Sequence, residues 1–180
     1  MALPGDLSTL EGVQALATSL AEHTDRLDVL VNNAGTSWGA DIADYPDEAW
    51  DKVLSLNVKT PFHLTVACLD LLRAAASPER PARVINIGSI DGIHVPLLES
   101  YAYSSSKAAV HQLTRHLGKR LAGEGITVNA IAPGLFPSKM TKFLFDSAGD
   151  EIASNTPLQR NGEPDDVAGA AIYLASPAAS

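Results

Sequence analysis

Three short apolar runs, separated by long stretches of helical pattern, constrain this chain more than any other feature. Leu27-Asp-Val-Leu-Val-Asn32, Arg83 to Gly88 and Ile126 to Ala132 are brief and rich in β-branched residues. The first suits a strand covered on both faces in a parallel sheet, and the other two repeat its character. Helical periodicity fills Ser8 to about His23, about Pro46 to Ala76, about Tyr101 to Ala122, and Pro164 to Ala175. Helix and strand therefore alternate, which predicts an α/β layer architecture with right-handed crossovers. The ends carry their own signals. Ser8 reads as an N-cap, with Glu11 completing a capping box. Gly123 and Gly125 close the third helix, with Lys119 and Arg120 in its last turn. Pro164 opens the last helix with Asp165 and Asp166 just inside. Asp146 to Ser154 carries no decisive pattern.

At 180 residues the chain is one domain's worth. With 46% hydrophobic and 19% charged residues it has the make-up of a soluble globular protein. A net charge of -8, with no basic cluster, speaks against nucleic acid as a partner. The single cysteine, Cys68, rules out an internal disulfide framework and reads as a buried structural thiol. No apolar stretch approaches the roughly 18 residues of a membrane span, and the N-terminus lacks the regions of a signal peptide. A cytoplasmic location, away from membranes, is the expectation. The five histidines are scattered, and His111 and His116 are not spaced as a helical ligand pair, so no metal is expected.

The chemistry concentrates on one helix. Tyr103 and Lys107 are four apart and share a face. A free tyrosine has a pKa of about 10, and bringing it to about 7 takes roughly 4 kcal/mol of anion stabilisation. A neighbouring lysine can supply part of that. Ser89 follows the second strand at the carboxyl edge of the sheet, where ligands bind in open α/β folds. It is not a hydrolase nucleophile elbow, because Ile87 stands where the first glycine of that turn is needed. Nor does any motif support a hydrolase built on Ser104 to Ser106. Tyr101, six residues from Lys107, falls far around the helix. Asn57 lies within an apolar stripe of Trp50, Val53, Leu54, Val58 and Phe62. A buried amide must find partners, at a cost of about 1 to 3 kcal/mol if it fails. Pro61 has no N–H, so the Asn57 carbonyl lacks its helical donor and is free to bind a water.

Asn32-Asn33-Ala34-Gly35, Asn57, Ile85-Asn86-Ile87-Gly88-Ser89, Tyr103-Ser-Ser-Ser-Lys107 and Asn129-Ala-Ile-Ala-Pro133-Gly134 follow one another in that order. With these the chain resembles the short-chain dehydrogenase/reductase family over nearly all its length. Residues 132–141 look most like 3-oxoacyl reductases of the rhamnolipid-biosynthesis type. The resemblance implies a Rossmann-like doubly wound parallel sheet. It is incomplete here, since residues 1–180 contain no Gly-rich strand-to-helix turn and no final strand; a truncated single domain is expected. It implies an NAD(P)-dependent oxidoreductase acting on a carbonyl or secondary alcohol, with a 3-oxoacyl thioester as the preferred substrate. Ser89 would polarise the carbonyl and Tyr103 would exchange the proton. Lys107 would lower the tyrosine's pKa and grip the nicotinamide ribose, while Asn57 would hold a relay water. Asp6, Leu7, Asn33, Ala34 and Gly35 would lie along the adenosine half of the cofactor. Pro133, Gly134, Phe136 and Ser138 would hold the carboxamide, with Ser138 where the family more often has threonine. About Pro137 to Ala148 would form a substrate lid, whose Lys139 and Lys142 read as a solvated face. His94 is a further candidate for substrate contact. NADPH is favoured over NAD by the resemblance alone. The long helices 46–76 and 101–122 resemble the family's dimer faces, which implies a homo-oligomer. The alternative is a catalytically inactive truncated chain that acts only as a partner of full-length subunits.

Overall fold

The computed structural model describes all residues except Leu97, Lys139, Asn155 and Ser180, and all side chains of the rest except those of Phe143, Ser147, Ala148 and Asp150. Its centre is a three-stranded parallel sheet in the order β1 (Val29–Asn32), β2 (Ala82–Ile87), β3 (Ile126–Ile131). The register sets Asn32 beside Asn86 and Ile85 beside Asn129. The three predicted runs are the three strands. β2 is buried along nearly its whole length, as a central parallel strand must be.

Helix α1 (Leu10–Ala21) precedes β1. Its cap is Thr9, whose hydroxyl accepts from the Gly12 amide at 3.1 Å; the predicted Ser8 cap is one residue off. The Asp6 carboxylate takes both the amide and the hydroxyl of Ser8, at 2.9 and 2.6 Å, leaving Ser8 engaged in a turn of its own. The helical stretch predicted over 46–76 is three helices: α2 (Asp47–Leu54), α3 (Thr60–Ala67) and α4 (Leu69–Ala75). A π turn at Ser55–Lys59 joins the first two, where the Thr60 amide reaches back five residues to the Ser55 carbonyl. A widened turn beside a proline lets the chain avoid demanding a donor that Pro61 lacks. The buried face is Ala49, Val53, Asn57, Thr60 and Leu64, whereas Phe62 is 41% exposed and faces outward. The π turn has rotated the predicted stripe.

Helix α5 (Tyr101–Leu121) ends in a short 3-10 turn, and Gly125 follows at φ 71°, a left-handed conformation that glycine adopts without strain. Gly118 brings α5 close to β3, since a Cβ there would stand 3.3 Å from the Val128 carbonyl. Helix α6 (Lys142–Ser154) occupies the segment without a decisive pattern, and α7 (Pro164–Ala175) begins and ends as predicted. The core joins Val13 of α1, Leu64, Cys68 and Leu72 of α3–α4, Val84 of β2, Leu117 of α5, and Ile126 and Val128 of β3. Cys68 is buried there, and burial pushes its thiol pKa up. On the opposite face of β2 the Arg83 guanidinium donates to the Ser176 carbonyl just past α7 at 3.0 Å. Helices thus cover both faces of the sheet. No helix among the described residues is long and apolar enough to cross a membrane.

Candidate active site

The carboxyl ends of β1, β2 and β3 converge on a cavity of about 190 Å³. Ser89, Tyr103 and Lys107 all line it, with Asn33 and Gly35 from beyond β1 and Pro133 and Gly134 from beyond β3. Ser89 caps the short turn Ile90–Gly92, accepting from the Asp91 amide at 3.1 Å, and is 7% exposed. Tyr103 and Lys107 enter from the first turns of α5. Gly92 presses that turn onto α5, and a Cβ on it would stand 2.6 Å from the Ala108 amide. Only glycine permits so close an approach.

The electrostatics differ from the expectation. Burial pushes the Tyr103 phenol above its ordinary pKa; a hydrogen bond with Ser89 pulls it back, and the Asp91 carboxylate pushes it up further. The Lys107 ammonium lies 5.5 Å from the centroid of the Tyr103 ring and donates to the Ile87 carbonyl at 2.8 Å. Burial lowers its own pKa to about 8. The predicted acidification of the tyrosine by this lysine is therefore absent from the protein by itself. The cation is partly spent on a backbone carbonyl, and a nearby carboxylate opposes it.

Asn57 is 2% exposed and its side chain is fully engaged. Its Oδ1 accepts from the Thr36 amide at 2.8 Å, while Nδ2 donates to the Thr36 carbonyl and to Ser106 Oγ, both at 2.9 Å. Ser106 Oγ in turn donates to the Tyr103 carbonyl at 2.6 Å. The amide thus ties the loop after β1 to the helix carrying Tyr103, and Ser106 is a structural hydroxyl with no character of a nucleophile. Sequence reasoning did not single out Thr36 or Asp91, and it weighed Ser106 only as a hydrolase nucleophile. Their roles arise from packing between segments more than ten residues apart, and no local pattern announces them. Tyr101 points elsewhere, edge-on to Tyr45 at 5.2 Å between centroids.

Leu7, Asn33 and Ala34 share a second cleft of about 40 Å³ with Pro61. Asp6 stands outside it, occupied by Ser8. Buried Asn32 links to Asn86 at 2.8 Å, and Asn86 to Thr114 at 2.9 Å; the Asn32 Oδ1 atom has no partner among the described residues. Phe136 and Ser138 do not line the 190 Å³ cavity. The Phe136 ring packs where a Cβ of Gly162 would be, and Ser138 Oγ bonds Thr141 Oγ1 at 2.9 Å in an exposed turn. Met140 reaches the cavity in their place.

A larger cavity of about 370 Å³ shares Ser89, Tyr103 and Gly134 with the first. It extends between the loop 37–41 and the segment 134–144. Part of the predicted lid thus forms one wall of it, through Met140, Thr141 and Leu144. Lys142 is ion-paired with Asp146 at 2.7 Å and exposed, and Lys139 lies outside the described residues. His94 is exposed and is absent from the lining.

The arrangement presents a phenol, a serine hydroxyl and a buried amine at one reacting centre, beside a cavity large enough for a small organic substrate. All of residues 1–180 match the family described as enoyl-(acyl carrier protein) reductase. The rhamnolipids biosynthesis 3-oxoacyl-[acyl-carrier-protein] reductase of Pseudomonas aeruginosa is 50% identical over 179 residues, covering 98% of this chain and 70% of that protein. The solved structure of the RhlG/NADP active-site complex of P. aeruginosa superposes with a TM-score of 0.95 at 50% identity, over 99% of this chain and 70% of that one. A gluconate 5-dehydrogenase from Burkholderia cenocepacia, in complex with NADP and tartrate, superposes with a TM-score of 0.88 at 29% identity, over 97% of this chain and 67% of that one. The parallel sheet is accordingly the Rossmann-like one, incomplete relative to these relatives. On this sheet, this constellation and this likeness, the chain belongs to the short-chain dehydrogenase/reductase family.

Proposed function

We propose that this chain reduces a carbonyl compound, with a 3-oxoacyl thioester as the preferred substrate, using NADPH. The observation that carries the reading is the meeting of Ser89, Tyr103 and Lys107 at one cavity beside a second cavity of substrate size. A bound nicotinamide dinucleotide supplies the hydride. The Ser89 hydroxyl donates to the substrate carbonyl, and Tyr103 passes its proton to the same oxygen as negative charge develops there. The phenol, held above its ordinary pKa, is protonated at neutral pH and so carries the proton to be given, while its burial makes it the weaker acid. Lys107 stands next in line to restore that proton, with the Asn57 carbonyl anchoring a water behind it.

The residues present fit the nicotinamide-ribose half of such a cofactor. Gly35 leaves the space that a Cβ would close against Asn57 Oδ1 at 3.3 Å and Lys107 Nζ at 3.8 Å. Lys107, Pro133 and Gly134 would hold this half, and Leu7, Asn33 and Ala34 the adenosine half, beside the unpartnered Asn32 Oδ1. Phe136 and Ser138 need a rearranged 136–141 turn to join them.

A second reading, of an inert chain that only partners full-length subunits, is favoured by the half-exposed Phe62 and Val66 on α3, which support a partner contact through the 46–76 helices. Titration with NADPH separates the two: micromolar binding supports the reductase and none supports the inert partner. In the reductase, oxidation of NADPH by a 3-oxoacyl thioester falls at least about a hundred-fold in Tyr103→Phe. Turnover unaffected by that substitution overturns the assignment.

A further inference from the structure

We propose that Asp91 is a specificity-determining residue that confines the larger cavity to uncharged carbonyl compounds and turns away substrates carrying a carboxylate near the reacting carbon. The inference rests on the reading of this site as a carbonyl-reducing one and adds the charge of what it accepts.

The cavity has an apolar body, with Trp38, Leu98 and Leu144 on its walls, and three acids, Asp41, Asp91 and Glu99. No lysine, arginine or histidine stands among its described lining residues. Asp41 and Glu99 are exposed at the mouth, where water screens them. Asp91 is different. It is partly buried, two residues past Ser89, in the turn that Gly92 presses onto α5. Its amide is fixed to Ser89 Oγ at 3.1 Å, which holds the residue beside the reacting centre. Burial raises the pKa of its carboxyl above the ordinary value, and no cation among the described residues pairs with it. It lines the cavity together with Tyr103, and a charge on it opposes ionisation of that phenol. A negative group placed near the reacting carbonyl would therefore meet a negative neighbour in a partly desolvated space, while the cation of the adjoining cavity, Lys107, is turned to the Ile87 carbonyl at 2.8 Å.

The backbone does not settle this matter. A neighbour of almost the same fold is a gluconate 5-dehydrogenase in complex with tartrate, so the architecture tolerates anionic ligands. Acceptance of charge must be decided by side chains, and the charge-bearing side chains among the described residues lining this cavity are all acids. An uncharged 3-oxoacyl ester or thioester meets none of this repulsion, and its alkyl tail matches the apolar walls.

The test uses a stable pair of product analogues with the same alkyl chain and hydroxyl, a neutral ester in one and a carboxylate in the other: methyl 3-hydroxyoctanoate and 3-hydroxyoctanoate. Each is titrated into the 180-residue chain, with NADPH present, by isothermal calorimetry. The ester is expected to bind about ten-fold more tightly than the carboxylate. Asp91→Asn keeps the shape and removes the charge, and it should narrow the gap to within about three-fold by improving the carboxylate's affinity. The double variant Asp41→Asn, Glu99→Gln should leave the gap nearly intact. Equal binding of the two ligands by the unaltered chain overturns the proposal while leaving the carbonyl site standing. A gap that survives in Asp91→Asn, or collapses only in the double variant, overturns the assignment to Asp91. Binding of neither ligand removes the carbonyl site itself, and the proposal with it.

Discussion

A lysine hidden beside a tyrosine carries a cost that can be read in the stability of the whole chain. Lys107 has its pKa lowered from 10.5 to about 8 by burial. Between pH 8 and about 10 the unfolded chain holds a proton at this position that the folded chain has given up. Stability therefore rises with pH across that window, by up to about 3 kcal/mol. Below pH 8 both states are protonated and the full penalty of a buried charge persists. Above about 10 the Tyr103 phenol, whose folded pKa is raised, begins to act in the opposite sense. Urea unfolding at pH 7.5 to 10 should show the rise, and Lys107→Met should flatten it and stabilise the chain at pH 7.5. A flat profile in the unaltered protein contradicts the burial argument. Asn57 makes a complementary case. Truncation to Ala removes three hydrogen bonds and strands both backbone groups of Thr36. The expected loss is about 2 to 4 kcal/mol by denaturant titration. A raised KM should accompany it, because the loop after Thr36 supplies Trp38 and Asp41 to the larger cavity.

Among the elements, the π turn between α2 and α3 is where sequence and function meet most closely. Pro61 withholds a donor from the Asn57 carbonyl, and the helix answers by widening over Ser55–Lys59. Pro61→Ala restores an N–H that can close on that carbonyl and displace a water held there. In the reductase assay it should lower kcat and shift its pH profile while leaving the fold intact by circular dichroism; an unchanged profile sinks the relay. The missing donor was legible from one proline, yet the widened turn was not, and its rotation swapped Phe62 out of the buried stripe and Thr60 into it. The same division holds elsewhere. Strand positions and the ends of α7 were readable, because β-branched runs and a proline with two acids just inside speak locally. The cap of α1 was not, because Asp6 captures Ser8 and hands the role to Thr9. The grouping of Ser89, Tyr103 and Lys107 was readable from family-like spacing. The electrostatics between them were not, because Asp91 and the Ile87 carbonyl act across turns that only the folded chain brings together.

For the molecule as a whole, the sheet is the exposed quantity. Both β1 and β3 are edge strands within residues 1–180, and no strand among the described residues covers the outer side of β1. Val31 on that strand is 45% exposed, and a hydrophobic edge with free backbone donors and acceptors is a template for pairing. Nothing in the charge pattern of β1 blunts it: Val29-Leu-Val-Asn32 contains no lysine, no proline and no bulge. The net charge of -8 works against close approach of two copies, and added salt screens that repulsion more than it weakens backbone pairing. Self-association should therefore grow with ionic strength, which sedimentation velocity at low and at physiological salt would register. A lysine at the edge adds a desolvation cost to every paired strand, so Val31→Lys should weaken association at least about ten-fold at physiological salt. If instead the oligomer is built on helices 46–76, Val31→Lys leaves it unchanged and Val66→Lys dissolves it, because Val66 lies on α3 and is 50% exposed. The two variants thus assign self-association to the sheet edge or to the helix face.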